Sequence, residues 1–582
     1  MIVLFRKTKI VCTIGPASED EKTLRTLISL GMDVARLNFS HGDYNVHGER
    51  IELIRKISEE LGKSTAILQD LQGPKIRIGE LEKENIILKD GEEISLTPKE
   101  CVGNEKILYV NYPHILEDVK EGDRILIDDG LIELKVRKIN GDKVLCDIIH
   151  GGPLSSHKGV NFPDTPLRVS SLTEKDKKDV LFGIENKVDF IALSFVQRAQ
   201  DIIELKEILE LHDARIPVIA KIEKKEAIQN FKEILEVADG IMVARGDLAV
   251  EVSNEEVPLL QKKIIRETRL SGKPVITATQ MLISMVNNPT PTRAEVSDVA
   301  NAILDGTDAI MLSNETAVGK YPIEAFKMMD KIARKVEEEF PYDSFLAPLC
   351  NENITQSITY SACEISRQIK AKAIITATHS GFTARQISKY RPSVPIFAIT
   401  HFPEVQRRLS LSWGVIPLLT EVFYTTDEMF DKSTRLLLQK GYINSGDTVV
   451  ITAGVPMGIS GMTNLIKVHV ISEIIGRGHG LGGDTKIARA VIAETAKEAL
   501  SKTQEGDILI IKEYSEEIAS LSDKLQGLII ESEKLHPDLI ALRSKGLAII
   551  VGAEIKEKIS SGEIITIDPE RGVIYKGVIR TT

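Results

Sequence analysis

Lys221 and Glu223 stand two residues apart in the run VIAKIE (218–223), so an extended backbone carries both on one side. Asp247 follows a second apolar run, GIMVARGD (240–247). Charges beside such runs are costly inside a core but serve well around a shared mouth. Polar residues recur after other apolar runs: Arg36 with Asn38, Asp70, Ser194, Thr279 with Gln280, and Ser313 with Glu315. The chemistry they offer is that of fixed charges and hydroxyls. The five cysteines show no CxxC or Cys/His spacing, so neither a zinc site nor a disulfide framework is encoded. From pattern alone, a ring of structural ion pairs is the other reading of the same residues.

The elements that would position these groups follow from the hydrophobic pattern. Eight short β-rich runs (9–14, 33–38, 65–70, 188–195, 217–222, 240–244, 274–279 and 308–313) alternate with amphipathic helical stretches. This alternation predicts an α/β protein built on a parallel (β/α)₈ barrel, with the polar residues above at the C-terminal ends of its strands. Ser18 with Glu21 and Thr292 with Glu295 fit the helix-start capping box, and Gly31 suits a helix stop. The barrel is assigned to 1–72 and 171–340. Between them, 73–170 alternates in short stretches broken by Gly, Asp and Asn, which predicts an inserted all-β domain over the mouth, a lid. A second α/β pattern occupies 341–475, with strands expected near 372–378, 394–400, 447–454 and 467–472. GRGHGLGG (476–483) reads as a flexible connector, its sharper reading as a phosphate loop lacking an enclosing strand-to-helix turn. A last α/β domain fills 476–582.

At 582 residues the chain predicts several domains, and its 42% apolar and 27% charged composition is that of a folded globular protein. A net charge of −11 argues against nucleic acid or anionic membrane as partner. The apolar start at 1–5 is too short for a signal peptide, and no run reaches the length of a membrane span. A cytoplasmic protein is expected.

The motifs ARLNFSHG (35–42), DLQGPKIR (70–77), AKIE (220–223), MVARGDL (242–248), TATQM (277–281), PTRAE (291–295) and LSNETA (312–317) resemble those of pyruvate kinases in order and spacing, over residues 7–475. The resemblance implies phosphoryl transfer from phosphoenolpyruvate to ADP, giving pyruvate and ATP, by an allosteric glycolytic homotetramer that needs Mg²⁺ or Mn²⁺. By the same resemblance Glu223 and Asp247 are the metal ligands, and their hard carboxylate oxygens suit such an ion. Lys221 is similar to the lysine that stabilises the transferring phosphoryl group, and Arg36 to the arginine that binds it. Gly246 and Asp247 match the segment that holds the substrate carboxylate. Thr279 matches the threonine beside the substrate methylene, with Ser313 and Glu315 in the proton relay. Asn38, Phe39, Ser40, His41, Arg77 and the lid residue Lys158 are carried over as nucleotide contacts, and Arg293 as a subunit contact.

The potassium site of many members corresponds to Asn38, Ser40, Asp70 and the carbonyl of Leu71. However, Lys75 stands where potassium-dependent members usually carry Glu. At ~6 Å and an effective dielectric of ~20 its ammonium would oppose a cation by about 3 kcal/mol, roughly a hundredfold in affinity. Potassium-independent activity is therefore expected. Asp164, Arg168, Ser170, Ala249 and Asn314 also depart from the common pattern but remove no proposed ligand. ATHSGFTA (377–384) resembles the family's effector loop, giving Thr378, Ser380, Gly381 and Thr383 as contacts. The matching stretch 458–464 lacks the Trp and Arg of sugar-bisphosphate-activated members, which points to AMP or a sugar monophosphate. The tail resembles a phosphohistidine domain, but His536 is one place out of register and precedes Pro537, so a structural or regulatory role is expected. The competing classes are a non-catalytic metabolite-binding relative and a metal-dependent enolate lyase or aldolase.

Overall fold

The computed structural model describes residues 5–346, 353–455, 462–471, 473–555 and 559–579. The chain divides into two compact units: 1–360 with 378–421 and 458–462, and 361–377 with 422–457 and 463–582. Cys350 and the start of the stretch 458–464 lie outside the described residues; Cys12, Cys101 and Cys146 are free thiols.

In the first unit eight strands close a parallel barrel: β1 (Lys9–Thr13), β2 (Val34–Asn38), β3 (Ala66–Asp70), β4 (Phe190–Leu193), β5 (Val218–Ile222), β6 (Gly240–Ala244), β7 (Val275–Ala278) and β8 (Ala309–Leu312). All eight fall within the expected runs. Each pairs in parallel with its sequence neighbour, and β1 pairs with β8 to close the ring. The two-residue period splits the strand residues into two apolar layers. Val11, Val34, Leu68, Ala192, Ile219, Met242, Ile276 and Met311 pack together as one. Their neighbours, such as Ile10, Ala35, Ile67 and Ile191, pack in the larger cluster under the helices. Continuing the first row upward gives Thr13, Arg36, Asn38, Asp70, Ser194, Lys221, Glu223 and Ser313. The inward-facing row thus runs from apolar to polar as it reaches the C-terminal mouth.

The helix Arg293–Leu304 starts on the expected capping box, Thr292 and Glu295 satisfying each other's main chain. Helix Glu21–Leu30 ends on Gly31 at φ 104°, a left-handed conformation suited to glycine. Its N-cap is Asp20, which accepts from the Thr23 amide, and not Ser18. Ser18 is turned instead to Gly15, where its hydroxyl meets the main chain at 3.3 Å. The Asp carboxylate two residues closer to the helix takes that position.

After β3 the chain enters a six-stranded and a two-stranded sheet around their own apolar core, the inserted β domain. Further on, Ile396–Thr400 pairs in parallel with Val415–Leu419 in the first unit. The latter strand was not legible because Pro417 interrupts it, which is tolerated at a sheet edge. In the second unit Ala373–Ala377 pairs with Thr448–Ala453, which pairs antiparallel with Leu465–Val470.

The tail folds as a second closed barrel of seven strands. Its first strand, Glu473–Gly482, takes up all but the last residue of the run expected to be a connector. The glycines are there for close packing, not flexibility: a Cβ on Gly480 would lie 1.5 Å from the Pro569 carbonyl oxygen, and one on Gly478 2.8 Å from that of Val551. His536 lies beside Asp538, with its ring 5.1 Å from that of Tyr514.

Two alanine substitutions separate these uses of glycine. Gly480→Ala, meeting backbone that has no rotamer to yield, should cost about 3 kcal/mol. Gly48→Ala, inside helix Tyr44–Glu60 with none of the described residues within 4 Å of the added Cβ, should stabilise by about 0.5–1 kcal/mol. Urea unfolding of the two variants beside the parent checks both signs.

Candidate active site

At the mouth, Lys221 is the hub. Its Nζ donates to Ser194 Oγ at 2.7 Å and lies 2.8 Å from Glu223 Oε1 and 3.3 Å from Asp70 Oδ1. Asp70 in turn holds Arg36 through Nε at 2.6 Å, and Arg36 Nη1 donates to Thr13 Oγ1 at 2.9 Å. Asp70 and Glu223 are each 1% exposed, so this is a network of buried charges in which both carboxylates have a cation and further hydrogen bonds. Glu223 Oε2 accepts from the Phe195 amide at 2.7 Å, and Ser194 Oγ donates to the Leu71 carbonyl at 2.7 Å. Burial would lower the Lys221 ammonium, but Asp70 and Glu223 outweigh it and hold the group above its ordinary range. Burial likewise works to raise Asp70, and Lys221 with Arg36 draws it below the usual carboxylate range. Glu223 moves upward because burial, reinforced by the negative Asp247, exceeds the pull of Lys221. A cation between Glu223 and Asp247 would relieve that repulsion, and two carboxylates are the donors a hard divalent ion takes.

Asp247 opens helix Arg245–Glu251 directly above β6. The preceding Gly246 donates its amide to Thr279 Oγ1 at 2.7 Å, and that hydroxyl donates to the Ala278 carbonyl at 2.6 Å. Thr279 and Gln280 have φ of 67° and 54°, a strained conformation for side-chain-bearing residues and most of all for a β-branched one. Arg245 braces this turn, donating from Nη2 to the Thr279 carbonyl at 2.8 Å while pairing through Nη1 with Asp298 at 2.7 Å. Glu315 is fully buried, and its two oxygens accept from the amides of Leu282 at 3.0 Å and Ser313 at 2.7 Å. Ser313 Oγ is buried without a hydrogen-bond partner among the described residues.

Residues 5–326 match the family model "Pyruvate kinase, barrel domain", and 356–469 match "Pyruvate kinase, alpha/beta domain". The chain is 46% identical to a pyruvate kinase of Geobacillus stearothermophilus over 98% of its length and 99% of the relative's. It is 47% identical to one of Sporosarcina psychrophila, with the same coverage. It is 45% identical to "Pyruvate kinase 2" of a Synechocystis strain, over 99% and 98% of the two chains. The chain belongs to the pyruvate kinase family. It is an enzyme that transfers the phosphoryl group of phosphoenolpyruvate to ADP in glycolysis, and a divalent metal is part of the pyruvate kinase reaction. The reading as a non-catalytic relative is not favoured.

The other residues carried over from pyruvate kinases are placed as follows. Asn38 Oδ1 accepts from the Ser40 amide at 3.1 Å, Phe39 is buried and stacks on the His47 ring at 4.1 Å, and His41 is exposed. Arg77 Nη1 donates to the His157 carbonyl at 2.8 Å, and Lys158 pairs with Asp128 at 2.8 Å. Lys75 lines a cleft of about 500 Å³ between the inserted domain and the barrel mouth, together with Asp247, Phe195, Gln197 and Lys224. Gly381, at φ 78°, starts helix Phe382–Ser388; the Thr378 amide donates to the Ile399 carbonyl at 2.9 Å. Two features of this region escaped sequence reasoning. Ser194, recognised at a strand end but given no role, bridges Lys221 and Leu71. Lys175, in an ordinary-looking charged helix start, donates to the Phe39 carbonyl at 2.8 Å and to Asp179 at 2.6 Å.

Lys221→Met would leave two buried carboxylates short of a cation and should lower metal-free stability by about 3–5 kcal/mol, read as a shift in the urea midpoint at unchanged slope. His47 supplies a pH dependence. Its ring is buried against Phe39, its Nε2 meets the His41 carbonyl at 2.9 Å, and burial lowers its pKa from 6.5. The unfolded chain therefore binds the proton first. The stability is present in full above pH ~6.5 and is lost as pH falls from there through the folded value. Unfolding free energies between pH 7.5 and 5 should fall less steeply in His47→Asn than in the parent.

Proposed function

We propose that Lys221, Arg36 and the Glu223–Asp247 pair form the phosphoryl-transfer centre, with Thr279 and Ser313 handling the proton. The observation that carries this reading is the single buried network in which Lys221 touches Ser194, Glu223 and Asp70 while Asp70 fixes Arg36. In the transfer the phosphorus–oxygen bond to the enol oxygen breaks, a new one forms to the terminal phosphate of ADP, and an enolate is left to be protonated on carbon. Such a reaction asks mainly for position and fixed charge. Arg36, held on two sides by Asp70 and Thr13, presents its remaining donors to phosphate oxygens. Lys221 faces the enolate oxygen and the phosphoryl group in flight, and its raised affinity for the proton keeps it charged. Glu223 and Asp247 would hold Mg²⁺ or Mn²⁺, which supplies charge neutralisation between the substrate anions when bound. Gly246 and Asp247, at the start of a helix, receive the substrate carboxylate. The Thr279 hydroxyl stands beside the substrate methylene. Glu315 serves the proton relay by fixing the Ser313 main chain, leaving the Ser313 hydroxyl available to it.

ADP is assigned to Asn38, Phe39, Ser40, His41, Arg77 and Lys158 under the inserted domain acting as a lid. Potassium is assigned no essential part. Three of its family donors are already engaged, Asn38 by Ser40, Asp70 by Arg36 and Lys221, and the Leu71 carbonyl by Ser194, and Lys75 lines the cleft. Thr378, Ser380, Gly381 and Thr383 are assigned to a phosphorylated activator, AMP or a sugar monophosphate. A cytoplasmic homotetramer completes the reading; among the described residues no helix is long and apolar enough to cross a membrane.

Pyruvate formation with Mg²⁺ tests these assignments. Turnover in potassium-free buffer should stay within about twofold of that with potassium. Lys75→Glu should lose tenfold or more without potassium and recover when it is added, in line with a charge term of about 3 kcal/mol. Lys221→Ala should lose about 10³-fold in kcat under all conditions. Strong potassium activation of the parent would sink the role given to Lys75.

A further inference from the structure

The residues that follow the two proposed metal ligands meet each other directly. Lys224, next after Glu223, extends its Nζ to Glu251 Oε1 at 2.6 Å, and both side chains are buried. Glu251 is the last residue of the helix that carries Asp247 in its first turn, and a spacing of four puts the two carboxylates on one helix face. The same oxygen of Glu251 accepts from Asn161 Nδ2 at 2.9 Å. Asn161 belongs to the inserted domain. Its strand, Val160–Asn161, lies at the edge of the six-stranded sheet and pairs antiparallel with Arg124–Ile127. The inserted domain also passes the helix at Gly130, where a Cβ would stand 3.9 Å from Val250 Cγ1. Lys224 Nζ lies 6.0 Å from the centre of the Phe195 ring, and the Phe195 amide is the one that donates to Glu223.

The two partners of Glu251 are unequal. A buried carboxylate without a cation is costly, so the pair with Lys224 holds whatever the inserted domain does. It also cancels what would be a third negative charge beside Glu223 and Asp247. Asn161 is neutral and half-buried, and its withdrawal gives up one hydrogen bond while leaving no charge unpaired. The ion pair is therefore a fixed post, and the amide is a latch that can release. When engaged, the latch ties the inserted domain to the helix of Asp247 and, through Lys224, to the strand end of Glu223.

We propose that Glu251, Lys224 and Asn161 are positioning residues that make the affinity for a divalent cation at Glu223 and Asp247 depend on docking of the inserted domain. The inference rests on the reading of those two carboxylates as the metal pair. Groups that orient the ligands of a metal change its affinity by about 10–100-fold when they are removed. The coupling runs both ways: if docking favours the cation, the cation favours docking by the same factor.

Binding of Mn²⁺ to the full-length protein without substrates is followed by the paramagnetic resonance signal of the free ion. Lys224→Met should weaken Mn²⁺ about tenfold and Asn161→Leu about fivefold, while Asn161→Gln, which keeps a donor, should recover most of the loss. In the parent protein Mn²⁺ should slow hydrogen exchange at 159–163, a readout that needs no variant to fold, and the slowing should vanish in Asn161→Leu. A contact that only supported the fold would give the inserted domain no metal-dependent protection. Asp247→Asn separates this proposal from the reading beneath it. Undiminished Mn²⁺ binding in Asp247→Asn would overturn the metal assignment and the proposal with it. Binding lost in Asp247→Asn yet unchanged in both Lys224→Met and Asn161→Leu, or an absence of protection at 159–163 in the parent, would overturn the proposal alone.

Discussion

One buried ammonium organises the upper half of the barrel. Lys221 sits where desolvation most disfavours a charge, and it stays charged because Asp70, at the end of β3, and Glu223, just past the end of its own strand, close on it. Each carboxylate then has a second duty: Asp70 orients Arg36, and Glu223 takes the amide of Phe195, a residue held at φ 55°. The strands are bound together at their ends by charge as well as by the main-chain ladder. A hydrophobic set of the same volume would hold such a ring at lower cost. Charge fixed in this way needs no reorganisation when a reaction begins, which is what the role proposed for the ring asks of it.

Much of this was legible before any coordinates. A period of two in each strand, with polar residues at the end of the inward row, determines which side chains share the mouth, and the motifs supply their order. Strand-end Ser194 belongs to the same inward row, but a lone serine carries little signal beside charged neighbours. The bracing of Thr279 by Arg245, and of Ser313 by Glu315, was not legible in the same way. Those contacts join turns that the period does not describe.

The misreadings share a cause. Ser18 and the run 476–483 were interpreted by residue type, and type describes freedom, whereas place in the fold decides use. Asp20 caps the first helix because it lies at the right offset. Val415–Leu419 hides as a strand because Pro417 suppresses the signal, although an edge position accepts it. The glycines of the terminal domain look like a hinge for want of side chains, and it is the neighbouring backbone that excludes those side chains.

That glycine-rich strand also bears on how the chain can be taken apart. It is hydrogen-bonded along both edges, to Ala548–Ile555 on one side and to Val573–Lys576 on the other. A protease needs a stretch of chain it can draw out into its own cleft, and a central strand is not available for that without unfolding its barrel. The last hundred residues are therefore no appendage on a tether that one cut would release. A cut at this point would take the opening strand out of a closed ring and leave both of its former partners as raw edges.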